Sequence, residues 1–319
     1  MKEYRLGIDL GGTGFQIGLV DSDFRIVAHA DAPTRQHELS FEEVVANIAE
    51  ECKKLLSANG LTPADVSCIG IGTPGCVDSD GLLRFAGNFS WHNVPLKAEM
   101  EKQLNVPVRI GNDANCAIIG ETLAGAAKGR KNVLLLTLGT GVGGGLVINN
   151  KLFTGGHGMG AELGHVPFIT GGVHCTCGID GCFEAYASVT ALIRMTKEAM
   201  AAHPESTMHA HAAANDGKVN GKTVYDCAHD GDPAALSVTA QYTENIAAGI
   251  GGFVNVFRPE IVLIGGGISA QGDYLLDPIN EKLPKYCFAP NAVPYPKVVA
   301  ATLGNAAGII GAACMDIME

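Results

Sequence analysis

The chain has 319 residues, enough to bury a large core, and chains of this length usually divide into two domains. Its 22 Lys and Arg stand against 33 Asp and Glu, a formal net charge of -11 that offers no basic face to a nucleic-acid backbone, so nucleic acid is not an expected partner. The start, MKEYRLGIDL, has no apolar run for secretion, and the uncharged stretch at 133 to 148 is short for a bilayer and holds five glycines. The expected location is therefore the cytoplasm, with no membrane partner and with its ten cysteines reduced.

In chain order, residues 4 to 10 and 15 to 21 read as strands joined by the turn GGTG, and RIVAHADAP continues as a third strand of a meander. A helix is expected over 41 to 58, with Ser40 as cap, Glu43 three residues on, and Val44, Val45, Ile48, Leu55 and Leu56 at helical spacing. VSCIGIG is the next strand, followed by a helix near 95 to 104, the strand VPVRIGND and a helix from Ala114 to Ala127. The second half restarts the plan with NVLLLTL, a glycine turn and GLVINN, and later EIVLIGGG after a helix from Pro233 to Phe257. LGGTGFQIGLV and LGTGVGGGLV share strand, Gly/Thr turn and returning strand, which suggests an internal duplication against a chance likeness of two turns.

Strand, glycine turn and returning strand present backbone N–H groups to a phosphate without side chains in the way. Asp9 ends the first strand, where a carboxylate could hold Mg2+ or its waters, and Thr13 could add a hydroxyl bond to phosphate. Gly139, Thr140 and Gly141 would do the same in the second turn; the plainer reading of both is a hairpin. GTGVGG at 139 to 144 fits the dinucleotide fingerprint, but a strand follows where a helix is needed, so nicotinamide is rejected. GKVNGKT at 217 to 223 has three residues between its glycines where a phosphate loop has four, and no strand precedes it, so it is set aside.

GND at 111 to 113 ends a strand in an amide and a carboxylate ahead of a helix. Asp113 could act as a general base and Asn112 could orient a hydroxyl, whereas the plainer reading of Asp113 is a helix cap. Asn88 lies in a loop beside the only tryptophan, Trp91, where most polar residues satisfy local backbone. Farther on, His165, Cys175, Cys177 and Cys182 could close a tetrahedral zinc shell with no open position, which means scaffold and not catalysis. The C-x-C and C-x4-C spacings differ from finger spacings, and His157 and His174 compete as the nitrogen ligand. Glu162 and Glu184 bracket the cluster, and a pinned loop would make both fixed acceptors for a polyhydroxylated substrate.

DLGGT at 9 to 13, GND, LGTGVGGG at 138 to 145, ELGH at 162 to 165, CTCGIDGCFE at 175 to 184 and VLIGGGIS at 262 to 269 resemble, in order and spacing, the ROK family of bacterial sugar kinases. The segment 190 to 235 is similar to the helical insertion of its glucokinase branch. The resemblance implies an α/β, actin-like, two-lobed fold with duplicated ribonuclease-H-like domains around a cleft. The lobes implied are 1 to 115 plus 304 to 319, and 116 to 303 with the zinc loop and dimer surface. It further implies transfer of the γ-phosphate of ATP, with Mg2+, to the 6-hydroxyl of a hexose, glucose first, in a homodimer or a tetramer of two dimers. Asp113 matches the catalytic base. Asp9, Gly11, Gly12 and Thr13 match the first phosphate motif, Gly139, Thr140 and Gly141 the second, and Gly265, Gly266 and Gly267 the turn near the adenosine. Asn88, Asn112, Glu162, His165 and Glu184 match sugar-binding positions, and His165, Cys175, Cys177 and Cys182 the structural zinc.

An N-acetylmannosamine, N-acetylglucosamine or other hexose kinase is the enzymatic alternative, turning on the substrate's 2-position. A sugar-sensing regulator is the alternative from another class. Against it stand the negative charge, a start directly at the first strand and the retained Asp113.

Overall fold

The computed structural model describes residues 4–86 and 89–318. In the first half, β1 (Arg5–Leu10) and β2 (Gly14–Val20) pair antiparallel with Leu10 opposite Phe15, so the chain reverses at the predicted glycines. β3 (Ile26–Pro33) extends the meander as an edge strand that alternates half-buried and exposed residues. α1 (Phe41–Ala58) begins on the predicted capping box: Glu43 N–H donates to Ser40 Oγ at 3.3 Å, and Ser40 N–H to the Glu43 carboxylate at 2.8 Å. Its stripe of Val44, Val45, Ile48, Cys52, Leu55 and Leu56 is buried in one core with Leu6, Ile8, Phe15 and Ile17. Each such aliphatic side chain contributes roughly 1.5–3 kcal/mol over its exposed state.

β4 (Ile69–Thr73) lies parallel to β1. Next come β5 (Cys76–Val77), β6 (Leu83–Ala86) and β7 (Trp91–Val94), a small antiparallel sheet where the sequence suggests only a loop around Trp91. Its strands are too short for a period-2 signal; Trp91 is held by stacking on Phe89 at 4.4 Å and an edge contact with Phe41 at 5.1 Å. α2 (Leu96–Leu104) leads to β8 (Val108–Asn112), parallel to β4, and α3 (Asp113–Leu123) follows without a linker. The expected end of α3 at Ala127 is corrected to Leu123. The fully buried Glu121 carboxylate accepts the N–H groups of Ala126, Thr302 and Leu303, and the chain turns to make that bond.

The second half holds β9 (Val133–Leu138), β10 (Val142–Ile148) and β11 (Lys151–Leu152), then the helices α4 (Glu184–Ala187), α5 (Val189–Ala202), α6 (Met208–Ala214), α7 (Gly221–His229) and α8 (Pro233–Phe257). β12 (Ile261–Gly265), α9 (Asp273–Lys282), β13 (Lys297–Ala300) and α10 (Ala306–Ala313) complete the chain. The strand orders are β3-β2-β1-β4-β8 and β11-β10-β9-β12-β13, one plan used twice, as the duplicated turn motifs suggest. Packing separates one unit, made of the chain up to Leu134, Gly145–Ala161 and the segment from Ala301, from a second made of Leu135–Gly144 and Glu162–Ala300. Among the described residues no helix is long and apolar enough to cross a membrane.

Candidate active site

In the first unit, the Gly11–Thr13 turn is pinned from one side. Gly11 N–H donates to Gly14 O at 2.9 Å, Thr34 Oγ1 donates to Gly11 O at 2.7 Å, and Thr34 N–H donates to Thr13 O at 3.2 Å. These bonds occupy the carbonyls of Gly11 and Thr13, and among the described residues the N–H groups of Gly12 and Thr13 have no partner, as a phosphate-binding turn requires. Asp9 sits at the end of β1, with α10 so close that a Cβ on Gly308 would lie 3.0 Å from its carboxylate. Burial first, and then the charge of Asp113, push the Asp9 carboxyl up to about 6. A buried carboxyl raised by the charge of a second carboxylate is chemistry that a divalent cation would relieve.

Asn112 and Asp113 divide two roles that the sequence left open. Asn112, not Asp113, caps α3: its Oδ1 accepts the N–H groups of Ala114 at 2.9 Å and Asn115 at 3.3 Å, and its Nδ2 donates to Gly75 O at 3.1 Å. Asp113 is thereby the first helical residue, with Oδ1 accepting Ala114 N–H at 2.8 Å and its side chain open to solvent. Surrounding protein raises its carboxyl, while N–H groups of Ala114 and its own backbone and the Asn112 amide oppose the rise, and solvent contact screens it.

In the second unit, Gly139 N–H donates to Gly141 O at 2.9 Å, closing the other turn, and the N–H groups of Thr140 and Gly141 have no partner among the described residues. α5 is clipped to this turn, because Val189 N–H donates to Gly139 O at 2.8 Å and Thr190 Oγ1 to Thr140 O at 2.6 Å. Gly266 follows β12 with φ 86°, and a Cβ there would meet Leu138 O at 2.2 Å, so only glycine lets the Gly265–Gly267 turn lie against β9. A pocket of about 360 Å³ opens between the Gly139–Thr140 turn, the Gly267–Gln271 turn and the first residues of α5 and α7, a size suited to a nucleoside.

His165, Cys175, Cys177 and Cys182 come together, with their ligand atoms all within 4.8 Å of one another. Cys177 Sγ is 3.5 Å from Cys182 Sγ, and His165 Nδ1 is 3.7 Å from Cys175 Sγ. A tetrahedral ion with bonds near 2.3 Å would set its ligands about 3.7 Å apart, so three thiols and an imidazole fit a closed zinc shell. His174 is excluded from the set, its Nδ1 pairing instead with Asp180 at 2.7 Å. His157 is likewise not a member, so the open choice of nitrogen ligand falls to His165. Glu184 begins α4 immediately beyond the cluster. Its Oε1 lies 3.4 Å from Cys175 Sγ, and its Oε2 accepts Val142 N–H at 2.8 Å. Glu162 is exposed, its carbonyl accepting His165 N–H at 3.1 Å. Asn88 lies outside the described residues.

The sequence reading missed Asn220 and Lys222, which line the pocket although the GKVNGKT stretch is no phosphate loop. Val189, Ile193 and Gln271 were missed as well, with no local signal to mark them.

Duplicated strand orders, two turns with free N–H groups and a carboxylate at a strand-to-helix junction define an actin-like α/β fold built for phosphoryl chemistry. The ROK family model matches residues 5–318, and the chain belongs to that family. It is 40% identical over 310 residues to the glucokinase of Thermotoga maritima, covering 97% of this chain and 95% of that one. Among solved structures, the ROK family glucokinase from Streptomyces griseus in complex with glucose and AMPPNP superposes with a TM-score of 0.80 at 35% identity, covering 97% and 98% of the two chains. The ROK hexokinase from Thermus thermophilus gives 0.83 at 31% identity, covering 98% and 97%.

Proposed function

We propose that the chain is an ATP-dependent kinase that transfers the γ-phosphate of ATP to the 6-hydroxyl of glucose, with Asp113 as general base. The observation that carries the assignment of the base is the division between Asn112 and Asp113: the cap is made by the amide, so the carboxylate stays exposed to a substrate hydroxyl. Glucose as acceptor and ATP as donor are supported by the glucokinase relatives and by the glucose and AMPPNP complex of the Streptomyces griseus enzyme.

Asp113 takes the proton of the 6-hydroxyl as that oxygen attacks the γ-phosphorus in line; the new P–O bond forms, the bond to the bridging oxygen breaks, and ADP leaves. Unpartnered N–H groups of Gly12, Thr13, Thr140 and Gly141 hold the phosphates, and the Gly265–Gly267 turn lies against the nucleoside. Mg2+ supplies charge neutralisation on the phosphates when bound, and Asp9 is its anchor. Asn88, Asn112, Glu162, His165 and Glu184 hold sugar hydroxyls, and His165, Cys175, Cys177 and Cys182 would hold a zinc ion that fixes His165 and the adjoining Glu184 in position. Assembly as a homodimer rests on the family resemblance. Asp113→Asn tests the reading: it keeps fold and glucose binding while kcat falls about 10²–10⁴-fold, and a near-normal kcat would remove Asp113 as base.

A further inference from the structure

Among the described side chains lining the nucleoside-sized pocket, Lys222 alone carries a formal charge, and no carboxylate is present. Lys222 is the second residue of α7, and its N–H donates to Asn220 Oδ1 at 2.9 Å, which fixes the root of the side chain at the pocket rim. The residue is exposed, and its ammonium has no ion-pair or hydrogen-bond partner among the described residues. Asn220 Oδ1 also accepts the Thr223 N–H at 3.2 Å, so the cap occupies this oxygen and leaves Nδ2 as a second uncommitted donor. Across the pocket, Ile193 and Ile268 supply aliphatic wall, and Thr190 Oγ1 is committed to Thr140 O. The pocket thus joins an apolar wall to a rim of donors beside a phosphate-binding turn, a combination complementary to an anionic nucleotide.

We propose that Lys222, with the Asn220 amide beside it, is a donor-binding residue that takes phosphate charge of the nucleotide and sets the affinity for it. The proposal rests on the kinase reading. Lys222 does not touch the transferred atoms, so its contribution belongs in KM for the donor and not in kcat.

The test compares wild type, Lys222→Gln and Lys222→Arg in ATP titrations at saturating glucose and at two salt concentrations, with calorimetric binding of AMPPNP to each protein alongside. Lys222→Gln is expected to raise KM for ATP and weaken AMPPNP about tenfold, the worth of one charge-assisted hydrogen bond. Its kcat and glucose KM stay within about twofold, its dependence on salt flattens, and Lys222→Arg recovers most of the affinity. Donor affinity unchanged in Lys222→Gln overturns the proposal. So does a loss with the wild-type salt dependence, which would place the ammonium on an uncharged part of the nucleotide. Wild type that binds AMPPNP but releases no ADP with glucose contradicts the kinase reading, and the calorimetric comparison then still decides for or against Lys222.

Discussion

Glu184 Oε2 accepts the Val142 N–H at 2.8 Å, which ties the helix after the cysteine cluster to the strand that leaves the second glycine turn. The same oxygen would lie 2.4 Å from a Cβ on Gly141, so the turn carries glycine where the carboxylate presses on it. One residue therefore links three proposed parts: zinc loop, sugar acceptor and phosphate turn. Glu184→Gln keeps an acceptor oxygen for Val142, so its melting temperature stays near wild type while KM for glucose rises more than KM for ATP. Glu184→Ala leaves that backbone N–H unpaired at a cost of about 1–3 kcal/mol, and thermal melts should show a drop of a few degrees. A selective effect of Glu184→Gln on ATP would contradict its placement at the sugar.

Asp9 gives a pH-dependent prediction. Its carboxyl is raised from 3.8 to about 6, so its favourable contribution to the cation-free fold is complete below pH 4 and is lost as pH rises through 6. Asp9→Asn escapes that loss. Chemical denaturation of magnesium-free proteins should find the variant gaining on wild type between pH 4 and 6, to roughly 3 kcal/mol above that range, while its turnover collapses. Parallel stability profiles for the two proteins would refute the burial argument.

The thiol cluster predicts bound zinc. Elemental analysis should find about one ion per chain after washing with a weak chelator, and Cys182→Ser or Cys175→Ser should lower both zinc content and thermal stability. Extraction of zinc with a strong chelator should raise KM for glucose before it affects ATP, because the cluster that would hold the ion includes His165 and adjoins Glu184, both proposed sugar residues. Zinc-free protein with a normal glucose KM would end the scaffold reading.

Gly266 and Gly267 are adjacent but should respond differently to alanine. Gly266→Ala faces both φ 86° and Leu138 O at 2.2 Å, so a loss of at least about 2 kcal/mol is expected in urea melts. A Cβ on Gly267 meets nothing within 4 Å, so stability should hold within about 0.5 kcal/mol while KM for ATP rises, since that residue lines the pocket.

Local chemistry made much of this molecule legible before its structure. The Ser40–Glu43 capping box starts α1 where its spacing places it, and the two Gly/Thr turns sit at equivalent corners of two sheets with one strand order. Cysteines five residues apart, as Cys177 and Cys182 are, can be read as a cluster because loop closure over that distance is short. Contacts set by tertiary packing were not legible. Lys222 is about eighty residues from the Gly139–Thr140 turn, and only the packing of α5 and α7 brings it to the same pocket. The strands around Trp91 are two to four residues long, below the length at which alternation becomes a signal. The plainer reading of Asp113 as the α3 cap does not hold, because Asn112 Oδ1 takes the Ala114 and Asn115 N–H groups while its Nδ2 reaches Gly75 O, a contact that only the tertiary fold supplies.

A coupled ADP-release assay with ATP and Mg2+ across glucose, mannose, allose, fructose, N-acetylglucosamine and N-acetylmannosamine, compared by kcat/KM, decides whether the chain is a glucose kinase. Clear preference for glucose is expected, with that activity lost in Asp113→Asn. Preference for an N-acetyl sugar would contradict the substrate while keeping base and fold, and absence of turnover on every sugar would contradict the kinase reading itself.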